Sequence, residues 1–247
     1  DYINASSDTY VAWCWRANGG TTASNSDGTG TSTVQANTKA GFSIVEFPNY
    51  TSNSTFGHGL NSAPEFIIVK LIGGASSPVY HTGIGDSGKI LYFNNTNAAA
   101  SNATFNSTAP TNSVFSLGAP FGGSGAGVAW CWHSVEGFSR FSSYEGNGDA
   151  DGPFVYTGFR PRFLIIKAAD SGQTWFMYDT ARSTFNPVNR YLYGQRDLAE
   201  DTAGSIDIDF LSNGFKIRNS RSDTNTSGDT YVYMCWGSVP FKYNNTF

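Results

Sequence analysis

Short apolar runs separated by polar turns recur along the whole chain. Residues 66–70 and 163–167 are almost continuously apolar, which is typical of a strand buried on both faces. Residues 114–117 and 214–218 alternate apolar and polar positions, so each would be a strand with one face in water. Helical periodicity is scarce. The pattern predicts an all-β fold of tandem β-sandwich, jelly-roll-like repeats with little helix, and a β-barrel-like sheet is the alternative.

The chain also repeats itself in register. The sequence Tyr-Val-Ala-Trp-Cys-Trp at residues 10–15 resembles Gly-Val-Ala-Trp-Cys-Trp at residues 127–132 and Tyr-Val-Tyr-Met-Cys-Trp at residues 231–236. Further landmarks match in the same order, and they include residues 41–43 with 137–139, 64–70 with 161–167, and 80–82 with 178–180. So many ordered matches indicate tandem copies of one structural unit.

These landmarks divide the chain into four segments. Residues 1–20 are expected to be the C-terminal strand of a preceding repeat. Residues 21–39 are rich in Gly, Ser and Thr and are interpreted as a polar linker. Residues 40–136 would form one complete β-sandwich repeat, and residues 137–247 the next.

The repeated Trp-Cys-Trp segment predicts an interface. Alternate side chains of a strand point to opposite faces of the sheet, so the two Trp share one face and the Cys takes the other. If the Cys points into its sandwich, the Trp pair points toward another repeat or another chain. The possible interface residues are therefore Trp13, Trp15, Trp130, Trp132 and Trp236.

Composition and charge argue against nucleic acid and membrane partners. Charged residues make up 14% of the chain and the formal net charge is −4, so there is no basic surface to attract a polyanion. Apolar runs fall well short of the roughly 18 residues that a membrane-spanning helix needs. Three cysteines, Cys14, Cys131 and Cys235, are odd in number and too widely spaced for a zinc motif. The polar surface suits an extracellular or virion setting.

Candidate catalytic residues are few and lie outside known motifs. The histidines His58, His81 and His133 belong to no nucleophile elbow or zinc-hydrolase motif, and we interpret them as surface or turn residues. Asp207 and Asp209 share a strand face, but a paired-carboxylate glycosidase needs a partner across a cleft. We therefore expect no catalytic residues and no enzyme activity.

One acidic loop is a weak candidate for Ca²⁺. Asn147, Asp149 and Asp151 are spaced like the first ligands of a calcium loop, with Gly152 at the sixth position. The bidentate Glu expected at the twelfth position is replaced by Gly158. A solvated hairpin loop is the preferred interpretation, and we expect no cofactor.

Longer motifs run along nearly all of the chain, at residues 40–45, 57–60, 63–70, 151–161, 179–182, 209–216 and 240–243. Within residues 63–70 the motif consists of Ala63-Pro64 and Ile67-Ile68-Val69-Lys70. These motifs resemble an uncharacterised tandem β repeat of marine bacteriophage tail-fibre and other virion structural proteins. In such proteins the repeat commonly lies C-terminal to a SPRY-like domain. The resemblance implies no established enzymatic activity, so it supplies no catalytic residues.

The resemblance implies a phage virion structural protein, a tail-fibre or appendage component that contributes to host-surface attachment. A capsid decoration or fibrous scaffold protein is one alternative, and a carbohydrate-binding module is another. A depolymerase would need a carboxylate pair in a groove. The expected partners are other virion proteins, copies of the same chain in an oligomer, and a host-surface glycan.

Overall fold

The computed structural model describes residues 6–120, 125–202 and 205–238. These residues form eighteen strands, one short helix at Ser222–Asn225 and two 3₁₀ turns at Thr82–Ile84 and Ala103–Phe105. The predicted all-β fold with little helix is therefore confirmed. No helix among the described residues is long and apolar enough to cross a membrane.

The first repeat is a β-sandwich whose large sheet is extended by a hairpin. Its strands are β1 (Ala23–Asn25), β2 (Ser32–Asn37), β3 (Phe42–Phe47), β4 (Ser54–Gly57), β5 (Phe66–Leu71), β6 (Pro78–His81), β7 (Lys89–Tyr92), β8 (Ala100–Ser101), β9 (Val114–Leu117) and β10 (Gly127–Trp132). The large sheet has the order β1-β2-β3-β10-β5-β6-β7-β8, and β4 pairs with β9 in the small sheet. Phe56 and Phe115 of the small sheet pack against Val45, Ile67 and Cys131 of the large sheet.

The second repeat reproduces this arrangement. Its strands are β11 (Ser139–Glu145), β12 (Phe154–Tyr156), β13 (Phe163–Ala168), β14 (Phe176–Asp179), β15 (Leu192–Tyr193), β16 (Ile208–Leu211), β17 (Gly214–Ile217) and β18 (Thr230–Trp236). The large sheet has the order β11-β18-β13-β14-β15, which matches β3-β10-β5-β6-β7 strand for strand. The small sheet is β12-β17-β16. Val155 and Phe215 pack on Leu164, Tyr233 and Cys235 in its core.

The last strand of each repeat lies in the middle of its large sheet. Trp132 of β10 sits between Phe42 of β3 and Phe66 of β5. Trp236 of β18 holds the same place between β11 and β13, beside Phe163. Because side chains alternate along a strand, each of these strands turns its Cys into the sandwich and its last Trp to the opposite face.

The two repeats pack against each other through their large sheets. A third apolar core lies between them, built from the faces turned away from the two sandwich cores. Phe66, Val79 and Trp132 contribute from the first repeat, and Phe163 and Met234 from the second. The repeats are therefore layers of one packed body, since sheets bury apolar faces against each other in this way.

Residues 21–39, interpreted from their composition as a polar linker, instead contribute β1 and β2 to the first large sheet. β2 pairs with β3, and Val34 of β2 is buried in the first core. Gly28 and Gly30 lie directly on Thr55 and Phe56 of β4, where a larger side chain would collide. An edge hairpin keeps one face in water, so many of its side chains are polar. A flexible linker has the same polar composition, which is why composition alone did not distinguish the two.

The segment predicted to be the last strand of a preceding repeat is also different. Residues 6–20 contain no strand. In β10 and β18 the equivalent residues are paired on both sides, whereas no described strand flanks residues 10–15. An extended segment becomes a strand only when a neighbour completes its hydrogen-bond ladder.

Candidate functional site

Three equivalent tryptophans meet between the two repeats. Trp15, Trp132 and Trp236 occupy the same position in the three copies of the repeated segment. Their ring centroids are 6.1 Å (Trp15–Trp132), 5.0 Å (Trp15–Trp236) and 6.3 Å (Trp132–Trp236) apart, and all three pairs are edge-to-face. Edge-to-face contact is a favoured geometry for aromatic rings because the positive ring edge meets the negative face. We call this group the Trp triad.

Phenylalanines surround the Trp triad. The rings of Phe42 and Phe66 stack on Trp132, each with a centroid distance of 4.9 Å. Phe163 stacks on Trp236 at 5.4 Å and on Trp13 at 4.7 Å. Trp130 is partly buried against the same core. All five tryptophans proposed from the sequence as interface residues therefore lie in or against the core between the repeats.

A cavity of about 500 Å³ lies beside the Trp triad. Its walls are mainly apolar, with Ile44 and Ile68 from one repeat and Ile165 and Met177 from the other. Lys70 lies at its border and donates a hydrogen bond from Nζ to the carbonyl of Ala75 (3.1 Å). Such walls suit apolar or aromatic groups far better than a polar substrate.

Polar contacts also join the repeats, and His81 makes the most deeply buried of them. Nδ1 of His81 accepts a hydrogen bond from the Gly83 N–H (3.0 Å), so Nε2 carries the proton and donates to the carbonyl of Tyr233 in β18 (3.2 Å). Burial lowers the pKa of His81 to about 4. The interpretation of His81 as a surface or turn residue is therefore wrong about exposure. A neutral imidazole with both nitrogens bonded can be buried at little cost.

His58 and His133 serve the fold as well. His58 is buried; its Nδ1 accepts from the Leu60 N–H (3.1 Å), and Nε2 bonds the Thr111 carbonyl (3.1 Å). Burial is the main cause that lowers its pKa. His133 bonds the Ser134 carbonyl (2.8 Å). The interpretation as surface residues fails here too, because both side chains are buried.

The three cysteines occupy two kinds of environment. Cys131 and Cys235 are buried in the two sandwich cores, and burial raises the pKa of both thiols far above the ordinary range. Cys14 is exposed, although its neighbours Trp13 and Trp15 pack inward. The side chains of residues 13–15 thus alternate as they do in β10 and β18, but the face that carries Cys14 is uncovered.

The loop proposed as a weak Ca²⁺ site is held by the protein's own hydrogen bonds. Asn147 Oδ1 accepts from the Asp149 N–H and from Asn225 Nδ2, both at 3.0 Å. Asp149 Oδ1 accepts from the Asp151 N–H (2.8 Å). Asp151 pairs with Lys216 Nζ (2.9 Å), and this hydrogen-bonded contact is the main cause that lowers the pKa of Asp151. The three side chains therefore act as turn-forming and ion-pairing groups.

A polar cleft of about 880 Å³ lies between residues 7–11 and the second repeat. Arg182 pairs there with Asp179 (2.6 Å) and with Glu200 (2.8 Å), and Glu200 also pairs with Arg190 (3.2 Å). The guanidinium of Arg182 lies 5.8 Å from the ring centroid of Trp13. The sequence did not reveal this cluster, because its acids and bases are separated along the chain and match no motif.

The carboxylate pair considered for a glycosidase lies on the second small sheet. Asp209 pairs with Arg218 (3.5 Å). Burial and the neighbouring Asp209 raise the pKa of Asp207. Both acids belong to one short segment, so they do not face each other across a cleft as the glycosidase geometry requires.

Comparison with known proteins gives a family but no function. The comparisons with curated proteins and with solved structures gave no significant match. A family described as "Domain of unknown function (DUF7483)" matches residues 1–240. The match includes both repeats and the segment that carries Trp13 and Trp15. The chain therefore belongs to the DUF7483 family.

Proposed function

We propose that this chain is a structural component of a phage virion, part of a tail fibre or similar appendage that contributes to attachment at the host surface. The resemblance to phage repeat proteins suggests the setting. The observation that carries the proposal is the aromatic core shared by the two large sheets. An appendage must hold its parts in fixed relative positions, and a shared core does so where a flexible linker would not.

Hydrogen bonds across the same boundary support this rigid coupling. Trp175 of the second repeat donates from Nε1 to the carbonyls of Tyr92 (3.0 Å) and Asn95 (3.2 Å) in the first. The Ala99 N–H donates to the Ala169 carbonyl (2.7 Å). Together with the His81 contact, these bonds fix the rotation of one sheet over the other, which apolar packing alone specifies less well.

A second candidate function is glycan binding, and one surface favours it. Phe154 and Tyr156 are 46% and 58% exposed and share the outer face of β12. Lys216 lies directly opposite Phe154 on β17, and Asp209 lies opposite Lys216 on β16. Neighbouring aromatic faces and charged hydrogen-bonding groups are the combination that stacks on and orients a sugar ring. This function is compatible with the first.

Cryo-electron microscopy of the source particle tests the location. The density of this fold is expected in a tail-attached fibre or appendage. Density on the capsid shell would replace the proposal with capsid decoration. A free filament in the absence of particles would replace it with a fibrous scaffold.

Adsorption competition tests the attachment role. The purified chain is expected to slow adsorption of the particle to its host in a dose-dependent way. The matched variant Phe154→Ala with Tyr156→Ala should lose this effect if the aromatic face binds glycan. Competition that is equal for both proteins would leave attachment in place and exclude this face, and no competition by either would contradict attachment.

A further inference from the structure

Residues 10–15 keep the side-chain arrangement of a central strand without being one. In β10 and β18, one face carries the Cys into the sandwich core and the other carries the Trp into the core between the repeats. Residues 10–15 have the same division: Trp13 and Trp15 pack into the core between the repeats, and Cys14 is exposed on the other side. The face that corresponds to a sandwich core has no sandwich over it among the described residues.

The Trp triad shows where a third repeat would belong. Each member of the triad comes from a different copy of the segment, and each pair meets edge-to-face at 5.0–6.3 Å. Contacts that are alike between all three pairs are what an approximate threefold axis produces. Two large sheets already stand on two sides of this axis, and Trp15 is on the third.

A second set of contacts has the same cyclic order. His81 and Asp179 occupy equivalent positions in the two repeats, and each accepts from the N–H two residues later. His81 of the first repeat reaches Tyr233, in the last strand of the second. Asp179 of the second repeat holds Arg182 over Trp13, in the unpaired copy of that strand. The first repeat thus contacts the second as the second contacts residues 10–15.

We propose that a third copy of the repeat, attached upstream of residue 10, packs in the groove between the two large sheets, which includes the cavity of about 500 Å³ beside the Trp triad. Residues 10–15 are its central strand, and its large sheet closes the third side of the aromatic core. The occupant is a sheet of this same repeat because its strand order would place a strand on each side of residues 10–15, as it does for β10 and β18.

The cavity beside the Trp triad is consistent with a third repeat in this position. Trp132 has phenylalanine rings on both neighbouring strands of its own sheet, and so does Trp236, with Phe141 on β11 and Phe163 on β13. Among the described residues, the ring neighbours of Trp15 are Trp132, Phe163 and Trp236, which all belong to the other two repeats. Apolar side chains from strands beside residues 10–15 would lie where the cavity of about 500 Å³ is found.

A designed extension of the chain tests the proposal. Since residues 127–132 correspond to residues 10–15, a duplicate of residues 40–126 joined directly before residue 10 rebuilds a complete third repeat. It adds no cysteine. Maleimide labelling read by mass spectrometry should modify Cys14 readily in the parent chain. In the extended chain it should be at least ~100-fold slower and approach the rate of Cys131 and Cys235, because labelling then needs local unfolding.

A second pair of thiols distinguishes docking in the groove from folding elsewhere. Ile68→Cys places a thiol on the cavity wall, and Ile72→Cys places one on the exposed turn after the same strand. The extension should protect the first and leave the second unchanged. Protection of Cys14 without protection at position 68 would overturn the groove as the seat. Cys14 that stays reactive, or an added segment without protected amide hydrogens, would overturn the third repeat itself.

Discussion

Truncation of one member of the Trp triad, Trp132→Ala, should destabilise both repeats together. Trp132 is 5% exposed, and its ring contacts Trp15, Phe42, Phe66 and Trp236. Removal of a buried Trp or Phe side chain costs about 3–5 kcal/mol. We expect the upper part of this range, because the four surrounding rings come from four separate segments of the chain and cannot collapse together into the space. Four lost ring contacts, each contributing about 0.5–1.5 kcal/mol, are part of that cost.

The matched control is Trp130→Ala, on the same face of the same strand. Trp130 is partly exposed and borders the cavity, so its loss should cost about 1–2 kcal/mol. Urea unfolding followed by far-ultraviolet circular dichroism gives both free energies of unfolding without relying on Trp fluorescence. If Trp132→Ala cost no more than Trp130→Ala, the triad would not be the centre of the interface and the reasoning would be refuted.

Three further predictions address other parts of the molecule. The folded pKa of His81, about 4, lies below its unfolded value of about 6.5, so its contribution to stability is complete above pH 6.5 and decreases as the pH falls toward 4. Relative to His81→Gln, the wild-type chain should therefore lose roughly 3 kcal/mol between pH 7 and pH 4 in urea titrations, and a parallel pH dependence of the two proteins would contradict this. Gly30→Ala should destabilise the chain by about 1–3 kcal/mol because its methyl group would collide with the ring of Phe56 on β4. Gly172→Ala should change stability by less than about 0.5 kcal/mol in thermal unfolding, because its methyl group would only touch the Thr96 carbonyl oxygen at an ordinary contact distance of 3.7 Å. Phe154→Ala and Tyr156→Ala should each cost less than about 1 kcal/mol on the exposed face, and a larger loss would show that these rings serve packing rather than binding.

The repeats and the faces of their central strands could be predicted from the sequence. The Trp-Cys-Trp pattern has a period of two, and a large aromatic pair on one face with a small thiol on the other leaves few ways to orient the strand. That pattern placed Trp132 and Trp236 on one side and Cys131 and Cys235 on the other, as the structure shows. It could not show that the two Trp-bearing faces meet each other, since periodicity says nothing about which surface covers a face.

The sequence-based predictions were wrong where they relied on composition and not on the alternation of apolar and polar residues. The segment 21–39 is polar enough for a linker, yet Val34 anchors it in the first core and Gly28 and Gly30 let it lie flat on β4. His58 and His81 were misjudged for a related reason. A sequence shows a polar side chain but not the two backbone groups that satisfy its nitrogens, and those groups decide whether it can be buried.

His81 and Asp179 show why equivalent positions need not have equivalent roles. Both side chains accept a hydrogen bond from the N–H two residues later, which is a local task that a ring nitrogen and a carboxylate oxygen perform equally well. The remaining atoms of each side chain reach in different ways toward the next copy of the repeat. Nε2 of His81 donates directly to the Tyr233 carbonyl, while the second oxygen of Asp179 holds Arg182, whose guanidinium lies over Trp13. The two repeats therefore share the hydrogen bond within the turn. They differ in the contact that each side chain makes with another copy of the repeat.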